Sequence, residues 1–300
     1  MAHILIAGLG AMGGLWAARL AAAHTLSVLT PASDREIRDG HIHLTLHELS
    51  GTTRTVTLPL RHDRESRPDV VLLTCKTWQT HDVLAQLAPI LSENVPLVIL
   101  QNGMGTQDRL SGLSRPVLAA STTEAAWREE RRTLHHAATG TTLIGGLNAA
   151  GDACLDTVCG WLSASGLDIR PTEAIRTVLW DKLCVNCGIN PFTALLRVRN
   201  GEILDSDLYR QSIEPLTREL ALARQLAGTP LSADEIRTRI ESVARRTAGN
   251  RSSMLQDVLA GRPTEIDAMN GFVAQFLESR NQNAPVNRLL TDRIHQLKTG

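Results

Sequence analysis

Ile4-Leu5-Ile6-Ala7-Gly8-Leu9-Gly10-Ala11-Met12-Gly13 is the stretch on which the fold of this chain turns. Its first four residues read as a buried strand, and residues 11–23, small and apolar, read as a helix packed tightly on a sheet. Between them lies G-x-G-x-x-G, a weak pattern by itself. It gains force from following a strand and opening a helix. Gly8 would permit the tight turn, Gly10 would let the backbone approach a pyrophosphate, and Gly13 would let the helix lie close to the sheet. The anion would sit on the free N–H groups of the helix N-terminus. A plain glycine-rich turn fits the same letters, so the case rests on what surrounds them.

Outward from this loop, the first half alternates short apolar runs with helical stretches. Residues 26–29, 70–74, 97–100, 117–120 and 142–144 read as strands, with a helical pattern running on from the third strand through Leu91. That alternation predicts a parallel sheet with covered faces. Residues 41–62 differ: His41-Ile42-His43-Leu44-Thr45-Leu46 alternates, and Ser50-Gly51 turns into Thr55-Val56-Thr57-Leu58, an antiparallel hairpin insertion. From about Thr172 the pattern is helical almost throughout. Ser232 with Glu235 forms a capping box, and Thr264-Glu265-Ile266-Asp267 after Pro263 reads as another helix start. The boundary falls near residues 169–173, giving an N-terminal domain 1–170 and a helical domain 171–300. Such a division places a ligand cleft between domains.

Composition narrows the function. The chain has 300 residues, with 31 basic and 31 acidic side chains, so it carries no formal net charge. That balance argues against a nucleic-acid binder and offers no basic footing for anionic lipid. No run approaches a membrane span, and the N-terminus reads as a strand and not as a signal peptide. The odd, scattered cysteines suit a reduced cytoplasmic setting. Cys184 and Cys187 form C-x-x-C without a second ligand pair and in mid-helix, where neither zinc nor redox chemistry is expected. His41, His43 and His47 fall in the hairpin and His135-His136 in a loop or strand; no H-E-x-x-H occurs, so no metal is expected.

Chemistry points to Lys182, Asn186 and Asn190. Their i, i+4, i+8 spacing puts them along one helix face over roughly 12 Å. Their neighbours Leu183, Val185 and Ile189 are apolar. Buried amides and ammonium groups need partners, and a polar substrate is one solution. A solvent-facing stripe is the other.

Several blocks occur in order: the glycine loop, Lys76-Thr77-Trp78-Gln79, Gln101-Asn102-Gly103-Met104-Gly105-Thr106, the segment 182–191, Ser252-Ser253-Met254-Leu255-Gln256-Asp257 and Thr264-Glu265-Ile266-Asp267. Together they resemble the ketopantoate reductase (2-dehydropantoate 2-reductase) family, from Gly8 to at least Gly271. The resemblance implies an α/β N-terminal Rossmann-type dinucleotide-binding domain followed by an all-α C-terminal domain. It implies NADPH-dependent reduction of ketopantoate in pantothenate and coenzyme A biosynthesis, with Lys182 as general acid and Glu265 as its catalytic partner. Asn102, Asn186, Asn190 and Ser253 would bind substrate. Gly8, Leu9, Gly10, Ala11, Met12, Gly13, Lys76 and Asn102 would hold the cofactor. The partner is a small 2-oxo acid, with neither nucleic acid nor membrane involved, and the protein is expected as a monomer or homodimer.

One departure bears on the cofactor. The family commonly has an arginine after the second strand for the adenosine 2′-phosphate. This chain reads Leu29-Thr30-Pro31-Ala32-Ser33-Asp34-Arg35 there. Thr30, Ser33 and Arg35 could bind a phosphate, with Arg35 as the substitute for that arginine, whereas Asp34 could oppose it or cap the next helix, so the local residues leave the choice open. NADP is expected on the strength of the family, and NAD stays open. A related branched 2-oxo acid, or a non-catalytic dinucleotide sensor, are the competing readings. Retention of Lys182 with Glu265 counts against the sensor.

Overall fold

The computed structural model describes residues 1–30, 40–60 and 67–297. They fall into two compact units, Met1–Gln101 with Thr106–Ile175, and Asn102–Gly105 with Arg176–Gly300. The first unit carries the strands β1 (His3–Ala7), β2 (Thr25–Leu29), β3 (His41–His47), β4 (Thr53–Pro59), β5 (Val70–Leu73), β6 (Leu97–Ile99), β7 (Val117–Thr122), β8 (Ala125–Arg128), β9 (Thr133–Ala138), β10 (Thr141–Gly146) and β11 (Asp168–Pro171). With them come the helices α1 (Ala11–Leu20), α2 (Thr80–Leu87), α3 (Thr106–Ser111) and α4 (Ala149–Ser163).

Seven strands form one sheet in the order β11-β10-β7-β6-β5-β1-β2. The run from β7 to β2 is parallel throughout. Its strands β1, β5 and β6 are almost wholly apolar and buried, as strands covered on both faces must be. The expected all-parallel sheet is interrupted at β10, which pairs antiparallel with β7. The cause is connectivity. After β7 the chain leaves for other strands and returns through Gly140, without the helical crossover that a parallel neighbour requires.

The hairpin of β3 and β4 is antiparallel in full register, from His41↔Pro59 to His47↔Thr53. It does not stand alone. β9 pairs parallel to β3, and β8 pairs with β9, giving a second sheet in the order β4-β3-β9-β8. This sheet lies directly on α1. Leu46 and Leu134 from the sheet pack with Leu15 and Ala18 of the helix, and a Cβ on Gly14 would come within 2.3 Å of Leu134. On its other side α1 buries Trp16, Ala17 and Leu20 in the main core. A helix covered on both sides needs apolar residues all round and small ones at the closest approaches, which explains the sequence of α1.

Polar groups also fasten this sheet to α1. Arg19 of α1 donates to Glu48 at 2.6 Å, and Arg54 donates to the other oxygen of Glu48 at 3.0 Å. The same Arg19 nitrogen meets His136 Nδ1 at 3.2 Å, while His136 Nε2 meets Glu124 at 2.6 Å. With Arg19 as donor, Nδ1 is the acceptor and Nε2 carries the proton to Glu124. Glu48, Glu124 and His136 are all buried.

Among its described residues the second unit is helical: α5 (Ile175–Leu196), α6 (Asp207–Leu226), α7 (Ala233–Arg246), α8 (Ser253–Leu259), α9 (Asn270–Glu278) and α10 (Pro285–Gln296). The capping box at Ser232 and Glu235 forms as expected at the start of α7. The second expected helix start does not. Thr264 precedes a short 3-10 turn, Ile266–Ala268, whose leading position is Glu265, and α9 begins only at Asn270. Pro191 lies inside α5. It has no N–H to offer the carbonyl of Cys187 one turn back. The Asn270 amide donates there instead, at 3.4 Å. Around α5, the buried Arg224 pairs with Asp181 and donates to the Thr229 carbonyl at 2.8 Å, and Arg239 reaches the other Asp181 oxygen at 2.8 Å.

Candidate active site

Within the first unit the strand order reverses between β1 and β5, since the chain proceeds outward to β2 on one side and to β6 on the other. In open α/β sheets ligands bind beyond the carboxyl ends of the strands at such a reversal. The glycine loop follows β1 there, and Lys76 follows β5. Gly8 has φ +108°, and a Cβ on it would lie 2.6 Å from the backbone of Cys75. A Cβ on Gly13 would lie 2.0 Å from the Gly8 carbonyl oxygen. Around Gly10, by contrast, a Cβ would meet nothing within 4 Å. The loop is thus packed shut on its protein side and open at its middle glycine. The first turn of α1 contains no acidic residue and has no side-chain cap. These are the features a pyrophosphate needs: open space, N–H groups without a competing cap, and no opposing charge. A nicotinamide dinucleotide therefore fits the residues Gly8, Leu9, Gly10, Ala11, Met12 and Gly13.

Two side chains that sequence reasoning missed hold this loop. Thr74 Oγ1 donates to the Gly8 carbonyl at 2.6 Å, and Gln101 Nε2 donates to the Cys75 carbonyl at 2.8 Å and to Thr80 Oγ1 at 2.9 Å. They tie the ends of β1, β5 and β6 into one rim. The Lys76 ammonium lies 5.7 Å from the ring centre of Trp78. Thr30, next after β2, buries a hydroxyl with no hydrogen-bond partner among the described residues. Ser33 and Arg35 lie outside the described residues.

Within the second unit the stripe on α5 grades in exposure. Lys182 and Asn186 are partly exposed, whereas Asn190 is buried and points its amide at the Met269 sulfur, 3.5 Å away. Glu265, on the turn before α9, is buried as well. Burial pushes the Lys182 ammonium down to about 8, while the Glu265 charge pulls the other way. A lysine so placed gives up a proton near neutral pH and still carries positive charge below its pKa. Thr193 donates to the Asn190 carbonyl at 2.8 Å and meets Ser252 at 2.7 Å. Ser252 in turn caps α8 through the Leu255 N–H at 3.1 Å. Ser253 is the exposed first residue of α8. The sequence points to Ser253, whereas the buried contacts belong to Ser252 and Thr193; the first of two serines ahead of a helix is the one that caps it.

Asn102–Gly105 belongs by its contacts to this second unit. The Met104 N–H donates to the Ala268 carbonyl at 2.8 Å. Gly103, at φ +81°, would place a Cβ 2.3 Å from that same oxygen. Asn102, partly exposed, is thereby fixed to the turn that follows Glu265. Cys184 and Cys187 are free and buried, with burial pushing the Cys184 thiol up to about 12 and raising that of Cys187. Among the described residues no group of three or more His, Cys, Asp and Glu side chains is placed to hold a metal ion. No described helix is long and apolar enough to cross a membrane.

Comparison with known proteins adds independent findings. The family profile described as "Ketopantoate reductase PanE/ApbA" matches residues 4–149, and that described as "Ketopantoate reductase PanE/ApbA C terminal" matches residues 174–298. The 2-dehydropantoate 2-reductase of Shigella flexneri is 32% identical over 293 residues, spanning 97% of this chain and 93% of that protein. A PanE/ApbA family ketopantoate reductase from Ralstonia eutropha JMP134 matches in structure with a TM-score of 0.84 at 22% identity, over 99% of this chain and 98% of that one. A ternary structure of D-mandelate dehydrogenase with NADH and anilino(oxo)acetate matches with a TM-score of 0.89 at 22% identity, with the same coverage. At that identity the two structures speak to the fold.

Proposed function

The chain belongs to the ketopantoate reductase family, and on that premise we propose that it reduces 2-dehydropantoate (ketopantoate) to (R)-pantoate with NADPH. This is a step of pantothenate and coenzyme A synthesis, placed in the cytoplasm and carried out by a monomer or homodimer. The observation that carries the proposal is Lys182, whose pKa of about 8 is set by burial against the charge of Glu265, at the head of the Asn186–Asn190 stripe. The reduced nicotinamide supplies the hydride that bonds to the keto carbon. As the C=O double bond becomes a C–O single bond, a proton leaves Lys182 Nζ for the oxygen, and the neutral amine is reprotonated from water. Before that transfer the ammonium stabilises the negative charge growing on the oxygen.

Glu265 keeps Lys182 protonated and oriented, since its charge favours the ammonium. Asn186 and Asn190 supply donors and acceptors for the substrate hydroxyl, and Ser253 serves the carboxylate. Asn102 lies between cofactor and substrate duties. Gly8 to Gly13 and Lys76 hold the dinucleotide, with Arg35 toward the 2′-phosphate.

Use of NADH in place of NADPH is favoured by Pro31 standing where the family commonly has an arginine, and another branched 2-oxo acid is the rival substrate. One experiment tests both. Loss of absorbance at 340 nm is followed with ketopantoate and either NADPH or NADH, for the wild type and Arg35→Ala. Turnover with NADPH, weakened selectively by Arg35→Ala, is expected. No turnover in protein that binds dinucleotide would move the substrate elsewhere among the 2-oxo acids.

A further inference from the structure

The edge of the second sheet reaches the glycine loop. β8 packs on α1 and ends at Arg128. Side chains alternate between faces along a strand. Trp127 takes the outer face, where it is 41% exposed and stacks on His135 at 4.2 Å. Arg128 therefore takes the face toward α1, the same face on which Ala126 packs against Leu15 and Ala18. Its Nη1 donates to the carbonyl of Leu9 at 3.2 Å and to that of Arg131 at 3.3 Å. Leu9 lies between Gly8 and Gly10, so a guanidinium rests on the centre of the glycine loop. Next to that loop lie the open space at Gly10 and an acid-free first helical turn.

We propose that Arg128 is a dinucleotide-binding residue, a cation that the second sheet delivers to the pyrophosphate of a bound nicotinamide dinucleotide. The assignment rests on the dinucleotide reading given above. A planar guanidinium is suited to two neighbouring phosphates, since it offers donors in a fixed fork. The rigidity of its mounting matters equally. Arg128 sits on a strand whose sheet is pinned to α1 by the buried Arg19–Glu48 and His136–Glu124 contacts. The helix that opens at the loop is therefore the helix that fixes the cation beside it. A bulge between Ala125 and Ala126 re-aims the end of the strand. The charge falls at the pyrophosphate and not at the adenosine ribose, because Leu9 follows β1 whereas the ribose end belongs after β2.

Dinucleotide affinity is the readout, measured by fluorescence titration of NADPH and of NADH into the protein without oxo acid. Arg128→Ala is expected to raise both dissociation constants by about tenfold or more, with unchanged thermal melting of the free protein. It should also flatten the salt dependence of binding, because one charge contact to phosphate is lost. Arg128→Lys is expected to keep the salt dependence and recover part of the affinity. If the wild type binds both dinucleotides and Arg128→Ala binds them equally well, the assignment fails and the reductase reading stands. Weakening of NADPH alone would place Arg128 on the 2′-phosphate and overturn the pyrophosphate role. A salt dependence unchanged by Arg128→Ala would reduce Arg128 to a prop for the loop. A wild type that binds neither dinucleotide would remove the reductase reading and this assignment together.

Discussion

Beneath the second sheet, Glu48, Glu124 and His136 are buried with Arg19 and Arg54 around them; on α5 and the turn before α9, Lys182 and Glu265 are set in the helical unit with Asn186 and Asn190. Each region buries a carboxylate and sets a nitrogen base against it. In the first, oxygens and nitrogens meet at 2.6 to 3.2 Å: Arg19 and Arg54 on Glu48, and His136 between Arg19 and Glu124. Such a network holds one geometry, and losing any member strands another. In the second, desolvation of Lys182 outweighs the pull of Glu265, and the ammonium is left near 8. Burial and residue type do not separate scaffold from machinery here. Short hydrogen bonds fix the geometry of the first cluster, whereas at Lys182 desolvation leaves a proton that the proposed chemistry can use.

The widest gap between the two regions should come from Lys182→Ala. It is expected to cut kcat by at least about 10²-fold while circular dichroism and melting stay intact; an unchanged kcat would place Lys182 with the scaffold. Glu124→Ala should do the reverse, costing about 1–3 kcal/mol in urea unfolding by leaving the buried His136 Nε2–H without its acceptor. Its kcat at saturating cofactor and oxo acid should stay within about twofold. A collapse of kcat with stability retained would break the comparison.

The pH profile sharpens it further. In the proposed mechanism Lys182 acts as a protonated general acid, so kcat/KM should hold at neutral pH and fall about tenfold per pH unit above about 8. Glu265→Gln removes the charge that raises the Lys182 pKa, so the alkaline fall should begin at lower pH. A profile that does not move would uncouple the two residues. The smallest effect belongs to Arg54→Ala, at the half-exposed rim of the scaffold cluster, where urea unfolding should register less than about 1 kcal/mol.

The strand–loop–helix at residues 4–20, the β3–β4 hairpin and the capping box of α7 could be read from local letters, because their signals lie within a few residues of one another. The α5 stripe was legible as geometry, and its chemistry followed from the family blocks, whereas how far Lys182 is buried depends on distant packing. What stayed hidden was non-local. His135-His136 could not be assigned before β9 was seen beside β3, where one histidine faces out and the next faces in. The docking of Gly103 and Met104 on Ala268 joins segments remote in sequence. Thr264 resembled a helix cap, yet the turn places Glu265 ahead of a 3-10 segment instead.

The bond from Asn270 to the Cys187 carbonyl makes two distant positions heritable as a pair. A lineage that replaced Pro191 with a residue bearing an N–H would let α5 satisfy that carbonyl by itself, and selection on Asn270 would ease to its remaining bond with Asn287. A lineage that lost Asn270 first would leave the carbonyl stranded beside the proline. Substitutions at the two sites should therefore have a preferred order of arrival, the proline yielding before the asparagine.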